Sequence, residues 1–92
     1  MSGGHFEYNQ YKIGYIADEV ETLIKNNESD EPNGWGGTVG CHYTPETIEE
    51  FKNALKALRV AQIYAQRIDW LVSGDDGEDS FHRRLKKEVG AL

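Results

Sequence analysis

Apolar residues recur along this chain three and four positions apart, and no segment shows the alternation that a half-buried strand needs. The first such stretch runs over about residues 7–25. At 100° per residue, Ile13, Ile16, Ala17, Val20, Leu23 and Ile24 fall on one stripe, which Phe6 joins if the helix starts early. The second stretch covers about residues 45–73, on the order of 42 Å of helix. Its Ala54, Leu58, Ala61, Ala65, Ile68 and Val72 alternate by four and three, the spacing of a coiled-coil seam built from small residues. Ile48, Phe51 and Leu55 widen that seam on one side. Ala57, Val60, Tyr64 and Leu71 widen it on the other, to an apolar arc of about 200°. The third stretch, about residues 76–89, carries Phe81, Leu85 and Val89 at spacing four. An all-α fold of three helices follows, in one domain spanning residues 1–92, with a long central helix.

Turn formers and caps mark the joins. Met1 to Gly4 reads as a loose start. "NNESDEPNGWGGTVGCHY", residues 26–43, is a glycine-rich loop between the first two helices, long enough to suggest mobility or function. Thr44 is a good N-cap and Pro45 suits the first helical position, where its missing N–H costs nothing. Ser73-Gly74 is a plausible C-cap. Gly14, inside the first helix, marks a close approach to a neighbouring helix, since glycine there costs about 1 kcal/mol against alanine.

Length and charge narrow the functions. Ninety-two residues leave room for one small core, which makes oligomerisation a natural way to bury more surface. The apolar arc of the second helix exceeds what its two neighbours can cover. A homodimer is expected, with the Ala54–Val72 seam in or near the contact. Ten basic residues against 16 acidic give a formal charge of −6, which speaks against generic binding to nucleic acid or anionic lipid. No apolar run of about 18 residues and no leader pattern occurs, so no membrane association is expected. Cys41 stands alone, which excludes an internal disulfide and fits a reducing cytoplasm.

Catalytic patterns are missing. His5, His42 and His82 lie in separate segments, and Cys41-His42 are neighbours in sequence, which does not set a thiolate against a base. No nucleophile elbow, phosphate loop or zinc-protease helix is present. No enzyme activity, cofactor or metal site is expected. "SGDDGEDSFHRRLKK", Ser73 to Lys87, gathers acids and then bases, yet lacks the ligand order of a calcium loop. Helix capping accounts for it: Asp75 or Asp76 as cap, Glu78 or Asp79 three residues on, and basic residues at the negative end.

Two surfaces stand out as candidate binding sites. Arg59, Ile63, Arg67 and Trp70 lie, with Lys52 and Lys56, on the remaining side of the second helix. Arg and Trp are the residues most enriched at binding hot spots. If Arg59 and Arg67 point to water, this strip suits an acidic protein, a phosphate or a nucleotide base. Alternatively the third helix folds back and covers Trp70 with Phe81 and Leu85. The second surface is Tyr8, Tyr11 and Tyr15, about 180° from the stripe of the first helix. Either the glycine-rich loop folds over these tyrosines, through Trp35, or they meet a partner or ligand.

"SGGHFEYNQYKIGYIADEVE" and "LRVAQIYAQRIDWLVSGDDGEDSFHRRL" together resemble a group of small proteins carried by bacteriophages and prophages. That group shares a Gly-Gly-His-Phe start, a Tyr-rich first helix, a variable middle and an Ile-Asp-Trp-Leu-x-Ser-Gly-Asp-Asp-Gly end. The resemblance covers roughly the first 24 and the last 35 residues. It implies an accessory protein in the cytoplasm of a host bacterium, an inhibitor or modulator of a host protein of the anti-defence type. The alternative is a protein that binds or sequesters a small phosphorylated nucleotide.

The capping reading of residues 73–87 is checked by heating the protein with millimolar calcium or magnesium. The melting temperature should barely move, whereas a site saturated a hundredfold over its dissociation constant would add about 2.7 kcal/mol.

Overall fold

The computed structural model describes residues 5–92, so the expected loose start at Met1–Gly4 lies outside the described residues. Three helices form: α1 (Gln10–Lys25), α2 (Pro45–Val72) and α3 (Glu78–Gly90). Among the described residues the only extended pairing is an isolated bridge between Pro32 and Thr38. The long central α2 contacts both other helices, and α1 and α3 do not meet. The molecule measures 52 × 28 × 14 Å. Its thin dimension is close to the ~10–12 Å diameter of one helix with its side chains. The helices therefore form a single layer, with α2 in the middle.

Local signals set most of the ends. The Thr44 hydroxyl accepts from the Thr47 N–H and Pro45 opens α2. At the far end Gly74 takes a φ of 84°, the Gly74 N–H donates to the Leu71 carbonyl and the Asp75 N–H to the Trp70 carbonyl. That is the left-handed glycine termination expected of Ser73-Gly74. α1 begins at Gln10 rather than near residue 7, because Glu7 and Tyr8 hold φ values of 53° and 63°, outside helical space. α3 begins at Glu78, two residues later than the capping box would place it. Gly77 is its N-cap, with no side-chain cap bond. Asp76 instead accepts from the Gly77 N–H and lies 3.9 Å from Arg84. Acids still occupy the first turn of α3 (Glu78, Asp79) and Lys87 its last, as the helix dipole favours.

The glycine-rich loop is ordered by its own hydrogen bonds. The Asn27 side chain accepts from the Tyr43 N–H and donates to the Tyr43 carbonyl, tying the loop's two ends together. The Gly40 N–H donates to the Ser29 carbonyl and the Val39 N–H to the Glu31 carbonyl. Gly40 is buried at that closure, where a Cβ would collide with the backbone of Asn26, Asn27 and Ser29. Gly40→Ala should therefore lower stability in urea by about 1–3 kcal/mol, the usual cost of overpacking. Gly90→Ala, in a helical position with open space around it, should raise stability by about 0.4–1 kcal/mol in the same measurement.

Candidate functional site

The antiparallel pairing of α1 with α2 decides which surfaces are open, and its seam is polar. The Gln10 side-chain amide N–H donates to the Gln66 side-chain oxygen Oε1 at 2.9 Å. Arg59 reaches Asp18 at 2.8 Å and Glu21 at 3.5 Å. The Phe6 N–H donates to Asp69 and the His5 N–H to Ser73, ahead of the helix itself. Gly14 is buried between these rungs, and a Cβ there would come within 2.6–2.9 Å of the Gln62 side chain. On α2 the polar residues that face α1 and the turn before it are thus Arg59, Gln62, Gln66 and Asp69, with Ser73 just past its end, alternating by three and four. This is a second seam, rotated away from Ala54–Val72. The only fully buried hydrophobic side chain among the described residues is Ala17.

With that seam fixed, helix geometry assigns the two sides of the layer. On one side lie the apolar stripes of both helices: Ile13, Ile16, Val20, Leu23 and Ile24 from α1, and Ala54, Leu58, Ala61, Ala65, Ile68 and Val72 from α2. An open concavity lined by Phe6, Gln10, Ile13 and Ala65 confirms that the two stripes adjoin. Sequence periodicity suggested that these stripes pack on each other. They lie side by side instead, and Ile16, Leu23, Ile68 and Val72 remain substantially exposed.

The opposite side brings the two candidate surfaces together. The Arg59–Asp18 pair bridges it, with Tyr11 and Tyr15 on its α1 half and Ile63, Arg67 and Trp70 on its α2 half. The basic strip does not stand free in water. Arg67 is 6% exposed, its Nε lies 3.0 Å from Glu88 of α3, and its guanidinium sits 4.3 Å above the Trp70 ring. The Arg67–Glu88 contact is an ion pair without an aligned hydrogen bond from Nε. Arg59 is part-buried between its two carboxylates, and Ile63 and Trp70 are half-buried. The two arginines are committed to α1 and α3, because folding brings three acids against two guanidinium groups.

Tyr8, Tyr11 and Tyr15 remain exposed, Tyr15 by 69%. The Tyr8 and Tyr11 rings stack with centroids 6.0 Å apart. The loop does not cover them with Trp35. That indole is 91% exposed at the loop tip, between Gly34 and Gly36, both at positive φ. The Asn33 side chain accepts from the Trp35 and Gly37 N–H groups and holds the tip in shape. Trp35 was not marked as a binding residue from the sequence. Its signal was a large aromatic flanked by glycines, which no core position would use.

The loop base also gathers titratable groups. His42, at a φ of 54°, has its ring nitrogens 3.6 Å from Glu28 and 3.3 Å from Asp30. A hydrogen bond with Cys41 raises the Tyr43 hydroxyl above its ordinary pKa of 10.0. Among the described residues no group of three or more His, Cys, Asp and Glu side chains is arranged to hold a metal ion. None of their helices is long and apolar enough to cross a membrane. Comparison with protein families, with curated proteins and with solved structures finds no match.

The burial of Arg67 changes what its removal should do. Arg67→Ala strips a part-exposed Glu88 of its cation and Trp70 of its cover, so urea unfolding should show a loss of about 1–3 kcal/mol. Arg59→Ala, whose guanidinium meets more exposed carboxylates at the surface of the α1–α2 seam, should cost no more than about 1 kcal/mol.

Proposed function

We propose that this chain is a non-catalytic accessory protein of the phage type, which binds a host protein in the bacterial cytoplasm as an inhibitor or modulator and does so as a homodimer. The observation that carries the reading is where the large aromatic side chains are. Among the described residues, Tyr11, Tyr15 and Trp35 stay in water while no hydrophobic side chain larger than alanine is fully buried. Folding gains little from aromatics so placed. Binding gains a good deal, since Tyr and Trp combine large contact area with few rotatable bonds. The engaged state of Arg59 and Arg67 moves the proposed working surface from the basic strip to Tyr8, Tyr11 and Tyr15, with Trp35 as a second anchor. The phage context rests on the resemblance of the chain's two ends.

A nucleotide is the second reading. The Tyr8–Tyr11 stack favours it, because an aromatic platform accepts any base. Against it, the two arginines best suited to a phosphate already face carboxylates.

Capture from bacterial lysate with the wild type and two variants tests the reading. The variants are Tyr11→Ala with Tyr15→Ala, and Trp35→Ala. Each should melt within about 0.5 kcal/mol of the wild type and lose a hot spot's ~2 kcal/mol of affinity, about thirtyfold. Full capture by both variants would remove these aromatics from the working surface. A thermal shift with a nucleotide panel, abolished by the tyrosine variant, would favour the second reading.

A further inference from the structure

The side of the layer opposite the tyrosines carries no charged side chain between Ile13 and Ile24 on the α1 stripe, or between Ala54 and Val72 on the α2 stripe. Ile16 is 55% exposed there and Val72 52%. The described chain reaches this side only at its two ends, where Phe6 lies beside Ile13 and Ala65 and where Tyr43 packs on Phe51; α3 sits at the other edge, held through Arg67 and Glu88. A domain ordinarily has two packed layers about one core, and this molecule has one.

Size supports the same point. The accessible surface is 6652 Å², against about 5,400 Å² for a folded monomer of this mass, an excess of roughly 1,200 Å². A stable protein interface takes about 800 Å² from each partner. The radius of gyration, 17.2 Å, likewise exceeds the ~12 Å of a compact domain of this length.

We infer that the missing second layer is a second copy of the chain, with the α1 and α2 stripes of the two copies packed face to face in a four-helix core. The inference rests on the homodimer reading above and specifies its contact. A two-fold contact uses the same patch on both chains, so a patch that is apolar and uncharged throughout is complementary to itself. The alanines at 54, 61 and 65 keep the α2 surface low over about 17 Å of helix, which suits the 8–10 Å axial spacing of packed helices. The branched side chains of α1 supply the bulk that fills between them. The net charge of −6 makes an anionic membrane a poor occupant of the same face. The arrangement turns the tyrosine side of each copy outward, so the dimer presents two copies of the working surface.

Sedimentation equilibrium at tens of micromolar should give twice the 10.4 kDa chain mass. Ala61→Glu and Ile16→Glu change residues that are exposed within one chain, and either should shift the protein to monomer. The wild-type melting temperature should also rise by about 3–6 °C for each tenfold increase in concentration, a result that does not depend on either variant folding. A wild type at 10.4 kDa with a concentration-independent melt overturns the homodimer itself, and leaves the face to a different protein or a lipid surface. A wild-type dimer that both glutamates leave intact overturns only the assignment of this face.

Discussion

The polar seam between α1 and α2 is the constraint on which the rest of the architecture depends. Two amphipathic helices in one chain ordinarily turn their apolar stripes toward each other. Here Arg59, Gln62, Gln66 and Asp69 sit where that contact would be; Arg59, Gln66 and Asp69 pair with Asp18, Gln10 and the backbone of Phe6, and Gln62 lies against Gly14. A neutral hydrogen bond nets only about 0.5–1.5 kcal/mol, and the buried Gln10 oxygen, which has no partner, gives part of that back. The seam is a poor source of stability and a strong source of register. A slip of α2 by one position would set Arg59 and Asp69 against the wrong neighbours. Both apolar stripes are rotated out of the pairing onto one side of the layer, and both aromatic surfaces onto the other.

α3 completes the arrangement by a similar device. Its apolar residues Phe81, Leu85 and Val89 are half-buried, and its only partner among the helices is α2. Glu88 fixes its position by meeting the buried Arg67. The cation is in turn held over Trp70, so one guanidinium connects the middle helix, the third helix and an aromatic ring. This explains why the basic strip reads in the sequence as a binding surface. The residue types enriched at interfaces between proteins also serve an interface within one chain, and periodicity cannot say which helix will arrive.

Helix existence and the α2 ends were legible because their causes are local. Thr44-Pro45 and Ser73-Gly74 act on the backbone within a few residues, and both do so where expected. The start of α1 was not legible, since Glu7 and Tyr8 adopt left-handed backbone while the segment is bonded to Asp69 and Ser73, more than 60 residues away. The direction of the stripes was hidden for a different reason. A helical wheel ranks faces by polarity, and here polarity and contact are decoupled. The alternation of Arg59, Gln62, Gln66, Asp69 and Ser73 was present in the sequence, but polar residues at seam spacing usually mark the solvated side. Trp35 reads in the sequence as a cover for the tyrosines rather than as a binding residue, because a loop residue belongs to no stripe that would show which way it faces.

The rungs of the seam are ordered along the chain. Glu21 and Arg59 are 38 residues apart, Asp18 and Arg59 41, Gln10 and Gln66 56, Phe6 and Asp69 63, His5 and Ser73 68. Each successive rung encloses the one before it. Closing a loop costs entropy that grows only with the logarithm of its length, about 0.6 kcal/mol per doubling. The whole ladder spans less than one doubling, so nearly all of that cost falls on the first rung. Inside that rung, Asn27 joins the two ends of the glycine-rich loop through its bonds to Tyr43. The nested spacing means that each rung beyond the first adds little closure entropy, and the loop whose tip carries Trp35 lies at the inner end of that ladder.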